Sequence, residues 1–562
     1  MQGVLIIVIL VVIAAVGIYA SMPPAGPGPT TSAATTSELA TLATTSAGKG
    51  KLVIDWWYES SGHYPQSADQ AAVYKAQLER TGLITVNLHG ADWPSYKKNR
   101  DAHSMQVFTY GWYPDYIDPD DYIQPFLDSV GGSWLGTGYN NPQMDKLIAQ
   151  ARSTVDPTQR AQLYAQIQQI MVTDAPLVPV FQISAYAVTK PDITGVNLDV
   201  TQNMYYWLIT PPAGKDTLIV GTTDSIETSL DPAELWDFFG AIMTYNLGAP
   251  LVYIKPGSAA GPNDFIPALA TSWSVSPDGL TYTFELRKGL KFSDGAPFTA
   301  AAVKYSFDRN LALAMPDGPQ LGLGYGDIIA NVTATSDYQV VFTLKHIFAP
   351  FMALMAFSGS FIVNPKRAPN TPGQAVEWKE GDPTASNPSD LGPYLLTEWT
   401  RKGGKDYEMK LDANPNYFGV ADGYPKSKHI IMKFYSDATA LALAIKSGDI
   451  DMAYRQLSSS DIKNMQSDPT LKVWSGPSGI QYLVFQEAMP PFDNPKARQA
   501  VAAAIDRKEL VNTVFLAEQT HAAVPLYSMI PNGMAFQTDG FKALGDGNIT
   551  LSVSLLQQLG YG

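Results

Sequence analysis

The chain has 562 residues, 45% of them hydrophobic and 11% aromatic, enough apolar side chain for more than one packed unit, which excludes disorder throughout. Its net charge of −14 sets an acidic surface against any phosphate backbone and argues against a nucleic-acid partner. With no cysteine there can be no disulfide, no thiolate metal ligand and no thiol nucleophile.

In chain order the first feature is Val4 to Ala20, an uninterrupted apolar run without a charge. At helical rise it spans roughly 25 Å, close to the short limit for a bilayer crossing. No basic residue precedes it, so it reads as a lasting anchor over 1–22 rather than a cleaved leader. It also resembles the apolar N-terminal helices of archaeal pilin-like proteins, which leaves an assembly helix as the alternative. Residues 23–50, rich in Ser, Thr, Ala, Pro and Gly, read as a stalk that holds a folded body outside the membrane. The triplets at Asn331 and Asn548 are candidate glycosylation acceptors.

From Lys51 the pattern is mixed α/β. Strands are expected at Leu52–Trp57, Gln106–Trp112, Pro176–Val188, Thr217–Thr222, Leu280–Leu286 and Gln481–Phe485. Helices are expected at Ser67–Arg80, Pro142–Arg152, Pro157–Asp174, Ala300–Asn310, Thr439–Ser447 and Pro495–Leu516. Asp156 with Pro157 is an N-cap signal, and Asp294-Gly295 a turn signal. The Pro- and Gly-containing stretch from Thr210 to Lys215 reads as a connector.

Catalytic signatures are missing. The six histidines (His63, His89, His103, His346, His429 and His521) form no i, i+4 pair for a metal, and no nucleophile elbow, phosphate loop or dinucleotide fingerprint occurs. No catalytic residue, metal or cofactor is therefore expected.

Pro267 to Arg309 (PALATSWSVSPDGLTYTFELRKGLKFSDGAPFTAAAVKYSFDR) resembles, almost throughout, the signature of the peptide and nickel ABC-importer solute-binding family, the large oligopeptide/dipeptide-binding class. Ser229–Pro232, Gly392–Tyr394, Asn414–Phe418, Ser447–Asp451, Phe492–Arg507, Gly111–Asp121 and Tyr139–Ala175 add to it. The blocks stand in another order, however. In the family the block near Thr217 comes first and the Gly111 and Asn141 blocks last, so the chain looks circularly permuted. Exchange of 51–210 between copies is the alternative, and would give a homopolymer.

The resemblance implies a two-lobed periplasmic-binding-protein-like α/β fold. The first lobe with a β-rich subdomain would be 196–475, and the second would be assembled from 51–195 and 476–562. Ligand would sit between the lobes and be passed to an ABC permease at the outer face of the membrane. The family's ammonium-pairing aspartate falls on Asp115, and Gly111, Trp112 and Tyr113 would line the cleft beside it. Trp93, Tyr454, Arg455 and Tyr482 match further lining positions. The family's dipeptide binders hold the ligand carboxylate with an arginine in the loop matching Trp57–Gln70. Here no arginine stands there, and His63 or Gln70 would fill the space. Longer peptides or oligosaccharides therefore fit better than a strict dipeptide. A surface filament built on the same fold is the structural alternative.

Overall fold

The computed structural model describes residues 48–562 except Gly62, Gly131, Gly132, Ala314, Pro316, Asp317 and Gln456. The apolar run at Val4–Ala20 and the stalk up to Ala47 lie outside the described residues. Among the described residues, no helix is long and apolar enough to cross a membrane.

The frame is one mixed sheet of eleven strands. Along its main path come Tyr394–Lys402, Lys405–Ala413, His429–Phe434, Thr217–Thr222, Met452–Tyr454, Leu177–Thr189, Lys472–Phe485, Val107–Trp112, Leu52–Glu59 and Ile84–Ala91, and Ala523–Pro525 lies off it against Leu177–Thr189. The central strands, such as Val107–Trp112 and Leu177–Thr189, are buried in continuous runs, whereas Leu52–Glu59 towards one edge alternates. In Leu52–Glu59 the side chains of Leu52, Ile54 and Trp56 are buried while Val53 and Asp55 face solvent. Trp56 stacks on Tyr74 of the covering helix Ser67–Glu79, with ring centroids 4.9 Å apart.

Two long strands hold the halves of this sheet together. Leu177–Thr189 pairs at Ala187–Thr189 with Met452–Tyr454, but at Phe181–Ile183 with Ala523–Pro525. Its neighbour Lys472–Phe485 follows it antiparallel along most of its length and meets Val107–Trp112 from Ile480 onwards. A register shift falls between Pro477 and Ile480, where the ribbon passes from one half to the other. A separate four-stranded antiparallel sheet comprises Ile329–Ser336, Gln339–Leu344, Thr281–Leu286 and Ala270–Val275. It buries Tyr282, Phe284 and Leu286, packs Phe342 on Phe307 of the helix Ala300–Leu313 with centroids 4.8 Å apart, and takes two of its strands from the Pro267–Arg309 stretch.

Helix ends follow capping chemistry. Asp156 accepts from the Gln159 amide at 2.8 Å ahead of Pro157–Asp174. The single helix expected over 495–516 is instead two, Pro495–Ala504 and Arg507–Phe515. Asp506 leaves the helical conformation and caps the second helix through the Glu509 amide at 2.9 Å, which ends the first. The strand expected at Gln481–Phe485 begins earlier, at Lys472, because Gly476 and Pro477 are absorbed at the register shift.

Residues 51–112 pack on 476–562 within the same chain. Arg80 holds Glu509 through two hydrogen bonds of 2.6 and 2.5 Å, and Gln77 donates to the Asp506 carbonyl at 2.9 Å. The last residues close on the first described ones: the Lys49 amide donates to the Gly560 carbonyl at 2.7 Å, and its ammonium lies 5.4 Å from the Tyr561 ring centroid.

Candidate functional site

A cavity of about 630 Å³ opens where the crossing strands change partners. One wall is aromatic. Val107–Trp112 presents Tyr110 and Trp112 on one face by strand alternation, and both line the cavity. His63 and Trp93 stack in near-parallel planes with centroids 3.6 Å apart, and burial pulls the His63 imidazole below its usual pKa. The Trp93 amide donates to the Ser61 hydroxyl at 3.1 Å, fixing the helix entry just behind the N-cap Asp92. Trp134, 44% exposed, meets Trp112 edge-on at 5.3 Å and lies under the Arg100 guanidinium at 4.2 Å.

Gly111 is there because nothing larger fits. A Cβ on it would stand 2.9 Å from Tyr64 Cε1 and 3.2 Å from the Ile480 carbonyl. Its amide donates to the Tyr64 hydroxyl at 3.1 Å. Gly479, on the crossing ribbon, is likewise constrained, since a Cβ would come within 2.9 Å of Tyr113.

The opposite wall is acidic. Asp224, Glu227 and Asp237 line it with Phe238. Burial pushes the Asp237 carboxyl up to about 6, and its Oδ2 has no hydrogen-bond partner among the described residues. Arg455 is the cation of this wall. Its backbone is left-handed (φ 62°), its guanidinium stacks on Phe238 at 4.1 Å, and Asp224 lies 3.6 Å away. A non-glycine residue in that conformation costs on the order of 1–3 kcal/mol, which the surrounding contacts must offset.

The acidic turn 114–121 has its carboxylates sorted by partner. Asp118 takes Arg160 in a bidentate pair at 2.6 and 2.7 Å. Asp120 accepts from the Tyr116 hydroxyl at 2.7 Å and faces Arg152 at 3.1 Å. Asp121 accepts from the Trp112 indole at 3.0 Å and the Asp115 amide at 2.8 Å, leaving its other oxygen unpartnered. Among the described residues, the Asp115 carboxylate alone of the four accepts no hydrogen bond and makes no ion pair. It is half-buried, and desolvation pushes it up to about 7. Burial, with Asp115 close by, also drives Asp121 far above the usual carboxylate range. Three of the four carboxylates are thus committed to the fold, which leaves no oxygen cage for a hard cation.

The anticipated residues separate into three groups. Trp93, Gly111, Trp112, Tyr113 and Arg455 line the large cavity. Asp115 lines a smaller hollow beside it, which shares Tyr113 and Phe238 with the large one. Tyr454 and Tyr482 line neither. Both are almost fully buried, because their strands turn these positions into the cores, where Tyr482 packs on Phe126 at 5.6 Å. Of the two candidates to replace the missing arginine, His63 lines the cavity, whereas Gln70 is buried and donates to the Pro65 carbonyl at 2.7 Å. Sequence reasoning passed over Asp224, Glu227, Asp237 and Trp134. Asp224 had a usable signal, since it follows the carboxyl end of a strand paired in parallel, where open α/β sheets bind ligands.

A mixed aromatic and polar cavity of this volume, enclosed by two halves of one sheet, is the geometry of a small-ligand cleft. The family model described as "Bacterial extracellular solute-binding proteins, family 5 Middle" matches residues 14–134 and 264–562, and the chain belongs to that family.

Similar curated proteins include the di/tripeptide-binding protein 2 of Pseudomonas aeruginosa, 29% identical over 54% of this chain and 57% of the relative. The glutathione-binding protein GsiB of Salmonella typhimurium is 31% identical over 48% of each chain. The chain thus spans only about half to three fifths of the length of the curated relatives it matches. Among solved structures, the periplasmic binding protein DppA from Helicobacter pylori with peptide STSA aligns with a TM-score of 0.43 and 22% identity, over 61% of this chain and 66% of that one.

Proposed function

We propose that the protein captures peptides outside the cell and hands them to an ABC importer. The observation that carries this reading is the Asp115 carboxylate, unpaired beside an aromatic-lined cleft while its three neighbours are committed to the fold. A peptide's α-ammonium supplies the missing cation. The charge-assisted hydrogen bond it forms in a desolvated place is stronger than any neutral contact there. Trp93, Trp112 and Trp134 offer flat faces to the side chains that follow, and Arg455 is the cation within reach of a ligand carboxylate. Relatives named for di- and tripeptide and glutathione binding support the peptide class.

The two halves would be lobes that close about the Leu177–Thr189 and Lys472–Phe485 ribbon, with the register shift at Pro477–Ile480 as the bending point. The domain scheme of 196–475 against 51–195 plus 476–562 divides the chain at that ribbon. The contact between Lys49 and Gly560 and the two separate stretches matched by the family model support a circularly permuted block order. An anchor at Val4–Ala20 would tether the body to the membrane.

Calorimetric titration with a tripeptide panel tests the function. Binding of free peptides, weakened by about 2–5 kcal/mol in Asp115→Ala, is the expected result. Oligosaccharides are the second reading, favoured by the indole faces alone. They would bind equally well to Asp115→Ala and be lost in Trp112→Ala. A panel in which neither class binds sinks both readings.

A further inference from the structure

The hollow that Asp115 borders measures about 120 Å³ and has mostly apolar walls, supplied by Leu235, Ile242, Tyr245, Ile254, Ala353 and Phe357. Its polar wall residues are largely turned elsewhere. The Thr201 hydroxyl donates to Asp199 at 2.6 Å, Gln202 accepts from Ser478 at 3.1 Å, and the Asn203 amide reaches the Tyr205 hydroxyl at 3.4 Å. Tyr245 points its hydroxyl at the Ala356 carbonyl, 2.6 Å away, and so offers the hollow its ring. An apolar space of this kind has no good use for water, which needs two or more polar partners.

Position and size together select an occupant. In a peptide the α-nitrogen and the first Cβ are bonded to one carbon and lie about 2.5 Å apart. A group that holds the ammonium therefore fixes where the first side chain goes, and Asp115 is itself part of the hollow's wall. A cavity of about 150 Å³ lined by aliphatic and aromatic side chains accommodates benzene. The slightly smaller space here suits three or four carbons and is too small for an indole.

We infer that this hollow is a specificity pocket for the first residue of the peptide, selecting valine, leucine, isoleucine or methionine over glycine, charged residues and tryptophan. The inference rests on the reading that Asp115 receives the α-ammonium.

The test is calorimetric titration of the full chain with X-Ala-Ala tripeptides, where X is Gly, Ala, Leu, Lys, Glu or Trp. Leucine buries three more carbons than alanine, so Leu-Ala-Ala should bind roughly thirty-fold or more tighter than Ala-Ala-Ala. Trp-Ala-Ala should be at least about tenfold weaker than the leucine peptide, since an overfilled apolar site forces its neighbours to shift. Ala241→Leu adds bulk to the hollow's wall from a half-buried helical position. It should reduce the leucine advantage below about threefold, with circular dichroism confirming the fold. Equal affinities across X, or a preference for Lys, Glu or Trp, would overturn the pocket while leaving peptide capture intact. Failure of every peptide would overturn the peptide reading and this inference with it.

Discussion

Peptide affinity should depend on pH through Asp115. Its carboxyl is pushed up to about 7 by burial, so below neutrality it holds a proton that an incoming ammonium must displace. Each pH unit below about 7 should therefore weaken binding tenfold, about 1.4 kcal/mol, until the carboxyl's pKa in the complex is reached. Above about pH 8 the ligand's own ammonium loses its proton, and affinity should fall again.

The other groups near the site can be separated from this effect. Burial and the neighbouring Asp115 drive Asp121 far above the usual carboxylate range, and burial pulls His63 below its usual value. Burial pushes Asp237 up to about 6, so the decisive interval is between about pH 6 and 7.5. Calorimetry at pH 6.2 in two buffers of different ionisation enthalpy should show close to one proton released per bound peptide. Asp115→Asn should bind weakly and without the slope. A flat wild-type profile, or an Asn variant that keeps the slope, would refute the argument.

The same carboxyl bears on stability. A folded-state pKa raised above the unfolded value makes the native state the stronger proton binder, so its penalty grows as pH rises from about 4 to about 7. At pH 8 Asp115→Asn should therefore melt about 1–2 °C above wild type without ligand, and near it at pH 4.5, by differential scanning calorimetry. Asp231 and Arg309 are both fully buried and bonded at 2.9 and 2.5 Å, so Arg309→Met alone should cost about 3–5 kcal/mol in urea denaturation. Adding Asp231→Leu should recover part of that loss. Arg160→Leu leaves Asp118 without its bidentate partner beneath the acidic turn, and should weaken peptide binding at least about tenfold in titration. A chain reopened within 211–215, with Gly562 joined to Gly50 by a short linker, should fold and bind peptide like the natural order, read by circular dichroism and titration.

Much of the frame is legible because strand and cap chemistry are local. Leu52–Glu59 declares itself by the apolar run at Leu52–Trp57, and Pro157–Asp174 by Asp156 and Pro157 at its start. The break at Asp506 was hidden inside an apolar helical period, which an aspartate interrupts only when its cap has somewhere to point. The site was legible where it is built of aromatic residues on a strand, as at Trp112. It was illegible where the fold decides which face turns inward. Tyr454 and Tyr482 sit on strand stretches whose neighbouring positions are buried as well, so no alternation in the sequence says which way they point. The acidic turn shows the same limit. Four carboxylates look alike in sequence, and their roles separate only when Arg152, Arg160 and Tyr116 are folded against three of them.

The proposed permuted block order would leave the cleft undisturbed, for a physical reason. Its walls come from separate stretches around 63–65, 93, 110–134, 183–186, 223–239, 455–459, 478, 515 and 522, and none depends on being reached before another. What the site does require is the continuity of Leu177–Thr189 and Lys472–Phe485, because each carries cavity residues at the point where its partners change: Ile183 to Tyr186 on one and Ser478 on the other. In the proposed permutation, a break at the surface near Lys49 and Gly560 would cost a few exposed contacts. An opening within the paired ribbon would instead cut backbone hydrogen bonds that hold the two halves in register. The acidic wall, the indole wall and the Asp115 turn would then lose the sheet pairing that helps set their separation.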